Sequence, residues 1–454
     1  MWICILCLHS RKNVITTKKV ILNVRGVTSM KSNPDIFLLY EYMKRVSFTV
    51  RIKVILDEPA DAKLLNQAAQ EAIKRFPYFS VCLGLDTHGN YTLSPNDRPL
   101  PVLPEEDSRL MLGSEKTNGH LFAITWRDDT VYFNWAHSIC GAFGAMRWIK
   151  TTLYRYMTKK YGEITAPADL KRIDTPVAES ELYYPDPEQI PRDEPISRYT
   201  GTSTKVALMD TLKYILNPFA RDCYYYQIEI PADALLSYNK GIDASPNSII
   251  ASIMYKVCTR LFTPKDGPHL AARIPADFRD DIGCPDSYRD FVRYIHVKYD
   301  WDLKDEPIEK LNMRTRGALI SQNQPELSCE VFRHREQLHD AIDALPDLKS
   351  KKAYASRNSP YRTDVRDVYT VSYVGKTDWG GMAAHIRGIY TITDGDLMLE
   401  VNALPDKFCI SFQRYVKRPD AVNAFCAVLD EEGLPYTVSE RLVRWLPEIR
   451  LPKQ

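Results

Sequence analysis

One histidine stands where a strand-like run gives way to small residues, in the segment Tyr132-Phe-Asn-Trp-Ala-His137-Ser-Ile-Cys-Gly-Ala-Phe-Gly-Ala-Met-Arg-Trp148. An imidazole titrates near neutral pH, so His137 has the chemistry of a general base. Cys140 follows three residues later, which raises a Cys/His nucleophile pair. No third group in the sequence orients such a pair, and Cys140 reads better as a small apolar residue filling the turn. For a lone histidine beside an apolar run, packing is the plain alternative to catalysis.

The elements around His137 must aim it. Val131, Phe133 and Trp135 alternate, which predicts a half-buried strand ending at the histidine. Met146, Ile149 and Leu153 recur at helical spacing, which predicts a helix after it. Between them Gly141, Ala142 and Gly144 allow a tight turn that can aim the ring into a cleft.

Upstream, an alternating strand over 48–56, a helix over 61–76 and an apolar run from Pro77 read as a βαβ-like start. The stretch 166–198, rich in Pro, Asp and Glu, reads as a linker or surface crossover. Beyond it, Ser245 and Pro246 are the N-cap and first residue of a helix with Ile250, Ile253, Met254 and Val257 inward. Strands are expected over 222–230, 368–374 and 407–413. A hairpin is expected over 389–401 around Asp394-Gly395, and a helix over 418–432.

The His137 segment resembles the active-site motif of the chloramphenicol acetyltransferase-like superfamily, which includes the condensation domains of peptide synthetases and the alcohol acyltransferases. That motif is His-x-x-x-Asp-Gly, often with a second His before it. His137 falls on the catalytic His and Ala136 on the optional one, while Gly141 and Ala142 stand where Asp and Gly are usual. Arg273-Ile-Pro-Ala-Asp-Phe-Arg279, followed by Asp286-Ser-Tyr-Arg-Asp-Phe291, is similar to a Pro-Val-Asn-Leu-Arg … Arg-Asn-Phe pattern in bacterial alcohol acetyltransferase-like proteins. Arg279 falls on the family Arg and Asp290 replaces the Asn. Val371-Ser-Tyr-Val-Gly-Lys376 is similar to the segment lining the acyl cleft, with Ser372 as oxyanion candidate.

The resemblance implies an α/β fold with mixed sheets, in two subdomains around a central cleft. They would span 30–198 and 199–454, after an extension over 1–29 that is disordered or precedes a true start at Met30. It implies an acyltransferase with His137 as general base, moving an acyl group from coenzyme A or a carrier-bound phosphopantetheine to a small hydroxyl or amine acceptor. The thioester would be a co-substrate, an acyl carrier protein a possible partner, and no cofactor would be held permanently. Because Gly141 replaces the motif Asp, the alternative is an inactive member that binds an acyl thioester or a protein partner.

Composition narrows the other classes. The 454 residues carry a net charge of +2 with 44% hydrophobic and 26% charged residues, an ordinary globular balance with no electrostatic case for nucleic acid. Ten dispersed cysteines, with only Cys4 and Cys7 close together, argue against a zinc knuckle and for thiols in a reducing cytoplasm. The apolar run Met1–Leu8 is too short to span a membrane, and no later apolar run is long enough for a transmembrane helix.

Overall fold

Strand Thr49–Leu56 turns Val50, Ile52, Val54 and Leu56 into the core, as a period of two requires. It belongs to a computed structural model that describes residues 36–41, 48–195, 224–266, 269–358 and 368–452. The segment 1–29, Met30 and the division between 198 and 199 lie outside the described residues, as do Cys4, Cys7 and Cys223.

Two sheets form the scaffold of a mixed α/β fold. The first has the order Ile386–Ile392, Thr49–Leu56, Thr130–Ala136, Phe122–Arg127, Val102–Pro104. Its pairs are antiparallel except the last. The second has the order Val292–Tyr299, Leu270–Asp277, Tyr369–Tyr373, Met398–Ala403, Lys407–Arg414, Tyr224–Pro231, Thr437–Val438. There Tyr369–Tyr373 pairs in parallel on both sides.

Helices Ala62–Ile73 and Ala142–Tyr161 share the core of the first sheet, where Leu65, Ala68, Ile149 and Leu153 meet Ile52 and Val54. Asp61 caps the former by accepting the Leu64 N–H at 2.9 Å. Helix Pro246–Leu261 packs in the second core and opens as its sequence predicts, with the Ser245 hydroxyl accepting the Ser248 N–H at 3.2 Å. Helix Asp420–Glu431 is followed by Gly433 at φ +66°, a backbone region where a side chain is strained.

Three expectations are corrected. The run after helix Ala62–Ile73 is not the second strand of a βαβ unit. Val81–Leu85 pairs antiparallel with Tyr91–Pro95 in a sheet of their own. Asp86 closes that turn by accepting the N–H groups of His88 and Asn90, which keeps the two strands together.

Strand Thr130–Ala136 is buried on both faces except at partly buried Tyr132, rather than half-buried, because polar groups instead of water fill its second face. Asn134 is fully buried there and accepts from Arg51 Nε at 2.8 Å, while Arg51 pairs with Glu105 at 2.7 Å. A satisfied polar ladder therefore looks in sequence like an exposed face.

The region 389–401 is not a hairpin. Ile386–Ile392 pairs with Thr49–Leu56 in the first sheet, and Met398–Ala403 pairs within the second. The Asp394-Gly395 segment is instead the point where the chain passes between sheets. Asp394, on that passage, accepts the Tyr415 hydroxyl at 3.1 Å. Leu338, Ile342, Leu348 and Ala355 likewise join the first core, so late segments complete the early sheet.

Candidate active site

His137 follows directly on strand Thr130–Ala136, and its N–H donates to the Phe48 carbonyl at 2.8 Å. Its side chain is 33% exposed, whereas Ala136, Ser138, Ile139 and Cys140 are all fully buried. The strand end therefore holds the imidazole rigidly at its root and leaves its tip accessible. Gly141 is the N-cap of helix Ala142–Tyr161, and Ala142 is its first residue. Cys140 lies inside the turn, and its carbonyl accepts from Trp135 Nε1 at 3.2 Å.

The turn is shaped by what lies against it. A Cβ on Gly144 would stand 2.1 Å from the Tyr288 carbonyl oxygen, and one on Gly141 would stand 2.6 Å from Asp290 Oδ1. The small residues of the motif are thus a seat for the loop that joins Leu270–Asp277 to Val292–Tyr299. That loop brings Asp290 Oδ2 to 3.6 Å from His137 Nδ1.

Arginines hold the loop by its carbonyls. Arg279 donates to the carbonyls of Ser287, at 2.9 Å, and Arg289, and it pairs with Asp277. Arg335 donates to the carbonyls of Asp290 and Val292 at 2.8 Å each. Arg147, on the helix that follows His137, donates to the Asp286 carbonyl at 2.6 Å. Phe143 lies under both guanidinium groups, 4.2 Å from Arg279 and 4.4 Å from Arg147. Tyr288 stacks on Tyr78 with ring centres 4.2 Å apart, and its N–H donates to the Glu181 carbonyl at 3.1 Å. Phe278, Ile282, Cys284, Phe291 and Phe332 form a small core beneath.

Of the residues singled out in sequence, His137, Cys140, Gly141 and Ala142 meet at one strand–helix junction. Arg279 reaches that junction through Phe143 and the loop, with its guanidinium buried and committed to the loop. Ser372 lies in the second sheet opposite Glu400, whose carboxylate it hydrogen-bonds. Burial pushes the Glu400 carboxyl up to about 7, against the lowering effect of the Ser372 and Thr393 hydroxyls.

Asp290 is the neighbour that sequence reading overlooked. Its only signal was an acidic residue at the Asn position of the second block, and no spacing rule connects that position with Gly141.

The fold is that of the chloramphenicol acetyltransferase-like proteins. Three solved structures carry the likeness. The first condensation domain of the CDA synthetase has a TM-score of 0.54 at 11% identity, over 90% of this chain and 97% of that one. TRI101 of F. sporotrichioides, complexed with coenzyme A and T-2, has a TM-score of 0.53 at 11% identity, over 89% and 97%. Polyketide synthase associated protein 5 from Mycobacterium tuberculosis has a TM-score of 0.51 at 11% identity, over 87% and 95%. No family model and no curated protein matches the sequence. Among the described residues there is no cluster of three or more metal-ligating groups, and no helix is long and apolar enough to cross a membrane.

Proposed function

We propose that the protein transfers an acyl group from a thioester, of coenzyme A or a carrier-bound phosphopantetheine, to a small hydroxyl or amine acceptor. His137 acts as general base. It takes the acceptor's proton as the acceptor oxygen or nitrogen attacks the thioester carbonyl. The tetrahedral oxyanion collapses, the carbon–sulfur bond breaks, and the leaving thiolate receives the proton. No acyl-enzyme is needed, because the thiolate is a good leaving group. Backbone donors are the candidates for the oxyanion, and Ser372 would join them by turning its one hydroxyl proton away from Glu400. The scattered thiols suit a cytoplasmic setting.

The observation that carries this reading is the exposed tip of His137 on an otherwise buried strand end, in a fold shared with a structure complexed with coenzyme A. The inactive alternative rested on the carboxylate missing at Gly141. Asp290 stands beside that position, which favours the active reading.

The test is thiol release from a panel of acyl-coenzyme A donors with pooled alcohol and amine acceptors. Native protein should release thiol, and His137→Ala should lose about 100-fold or more of that rate. Release that survives in His137→Ala would remove His137 from the mechanism. Native protein that binds coenzyme A without releasing thiol would establish the binding-protein reading.

A further inference from the structure

We infer that Asp290 is the positioning residue for His137, supplied by the second half of the chain in place of a carboxylate on the motif turn. The inference deepens the acyl-transfer reading and rests on it for its catalytic meaning, though its geometry stands independently.

Three observations converge. Asp290 Oδ2 lies 3.6 Å from His137 Nδ1, a ring nitrogen that is itself buried. Asp290 Oδ1 occupies space beside Gly141 that any residue with a Cβ would take, since the added atom would stand at 2.6 Å. The backbone on both sides of Asp290 is fixed by guanidinium groups from separate elements, Arg279 on the Ser287 and Arg289 carbonyls and Arg335 on those of Asp290 and Val292. The carboxylate carried on that fixed backbone has a side chain only 12% exposed, so it is largely removed from water.

The chemistry follows from the imidazole. A neutral ring carries its proton on one nitrogen only. A carboxylate near Nδ1 favours the proton there and leaves the Nε2 lone pair to accept a proton from the acceptor. When Nε2 becomes protonated, the same carboxylate stabilises the imidazolium. Gly141 is then not a lost functional residue. It is the vacancy that lets Asp290 approach, and the two positions are coupled across the two halves of the chain.

The coupling also defines the test. Histidine side-chain nitrogens are observed by 15N NMR at a pH where the ring is neutral, with His137→Ala used to assign the signal. Native protein should show the proton on Nδ1. Asp290→Gly should move the ring toward the Nε2–H tautomer, and Gly141→Ala should do the same by displacing Asp290. In the double variant the clash is relieved, so thermal stability should return toward that of Asp290→Gly while the tautomer stays changed. A native ring protonated on Nε2, or a tautomer indifferent to Asp290→Gly in a folded variant, would overturn the inference.

Thiol release supplies the second readout. Asp290→Gly should lower kcat by about 100-fold or more with KM little altered, because Asp290 acts through His137 and not on the substrate. If the tautomers behave as stated but native protein releases no thiol, the positioning role stands and the acyl-transfer reading fails.

Discussion

Glu181 and Glu400 both have almost no exposed surface, but Glu400 lies deeper and the two differ in what surrounds them. Glu181, in the short helix Glu179–Leu182, meets Arg75 through two hydrogen bonds, at 2.6 and 3.2 Å. Burial pushes its carboxyl up, but the hydrogen bonds and charge of Arg75 outweigh that and hold it below the usual range. Glu400, in the second sheet, accepts from the Thr393 hydroxyl at 3.0 Å and from Ser372. Burial dominates there and pushes the carboxyl up to about 7. Neutral donors soften the desolvation of a carboxylate, whereas a guanidinium at hydrogen-bond distance reverses it.

The comparison breaks most severely at Arg75. Arg75→Met leaves the Glu181 carboxylate buried with Lys171, 3.7 Å away, as its remaining ion-pair partner and Arg147 as a further cation in its field. The expected loss is about 3–5 kcal/mol of unfolding free energy by denaturant titration at pH 7. A loss near zero would mean that the placement of helix Glu179–Leu182 does not depend on this pair.

The two groups also give opposite pH dependences. Folded Glu400 keeps its proton up to about 7, while its ordinary value is 4.5. Between those values the folded state binds the extra proton, so stability falls as pH rises, by about 3 kcal/mol in all. Glu400→Gln should flatten that fall. Glu181 is shifted downward, so its contribution is present above 4.5 and is lost as pH drops through its folded value. Unfolding curves from pH 3 to 8 in both variants separate the two limbs. A slope unchanged by Glu400→Gln would assign the fall to other groups.

A smaller effect sharpens the contrast. Thr393→Val removes one donor from Glu400 and should cost about 1 kcal/mol at pH 8, where the carboxyl is ionised. At pH 5 the cost should be less. An equal cost at both pH values would point to lost packing.

Much of the scaffold was legible in the sequence because its signals are local. Ser245 and Pro246 mark a helix start within one turn, and Gly433 marks a helix end. The His137 turn was legible for the same reason, as a strand, a histidine and small residues in one stretch. Sequence reading failed where the deciding partner is distant in the chain. Asn134 looked solvent-facing because nothing in sequence announces Arg51 beside it. The strands Ile386–Ile392 and Met398–Ala403 looked like one hairpin because their alternation does not say which neighbour each will find. Asp290 was invisible as a partner of His137 because the loop that carries it is placed by Arg279 and Arg335, through backbone carbonyls that have no sequence signature.

Strand Ile386–Ile392 also orders events during synthesis. Thr49–Leu56 leaves the ribosome early and pairs on one side with Thr130–Ala136, but its other edge waits until about residue 392 has emerged. Through that interval the nascent chain presents an open strand edge beside apolar surface, the kind of feature that templates association between chains. Native structure in the first sheet is therefore a late event on the ribosome, and a fragment ending before Ile386 would carry that open edge permanently.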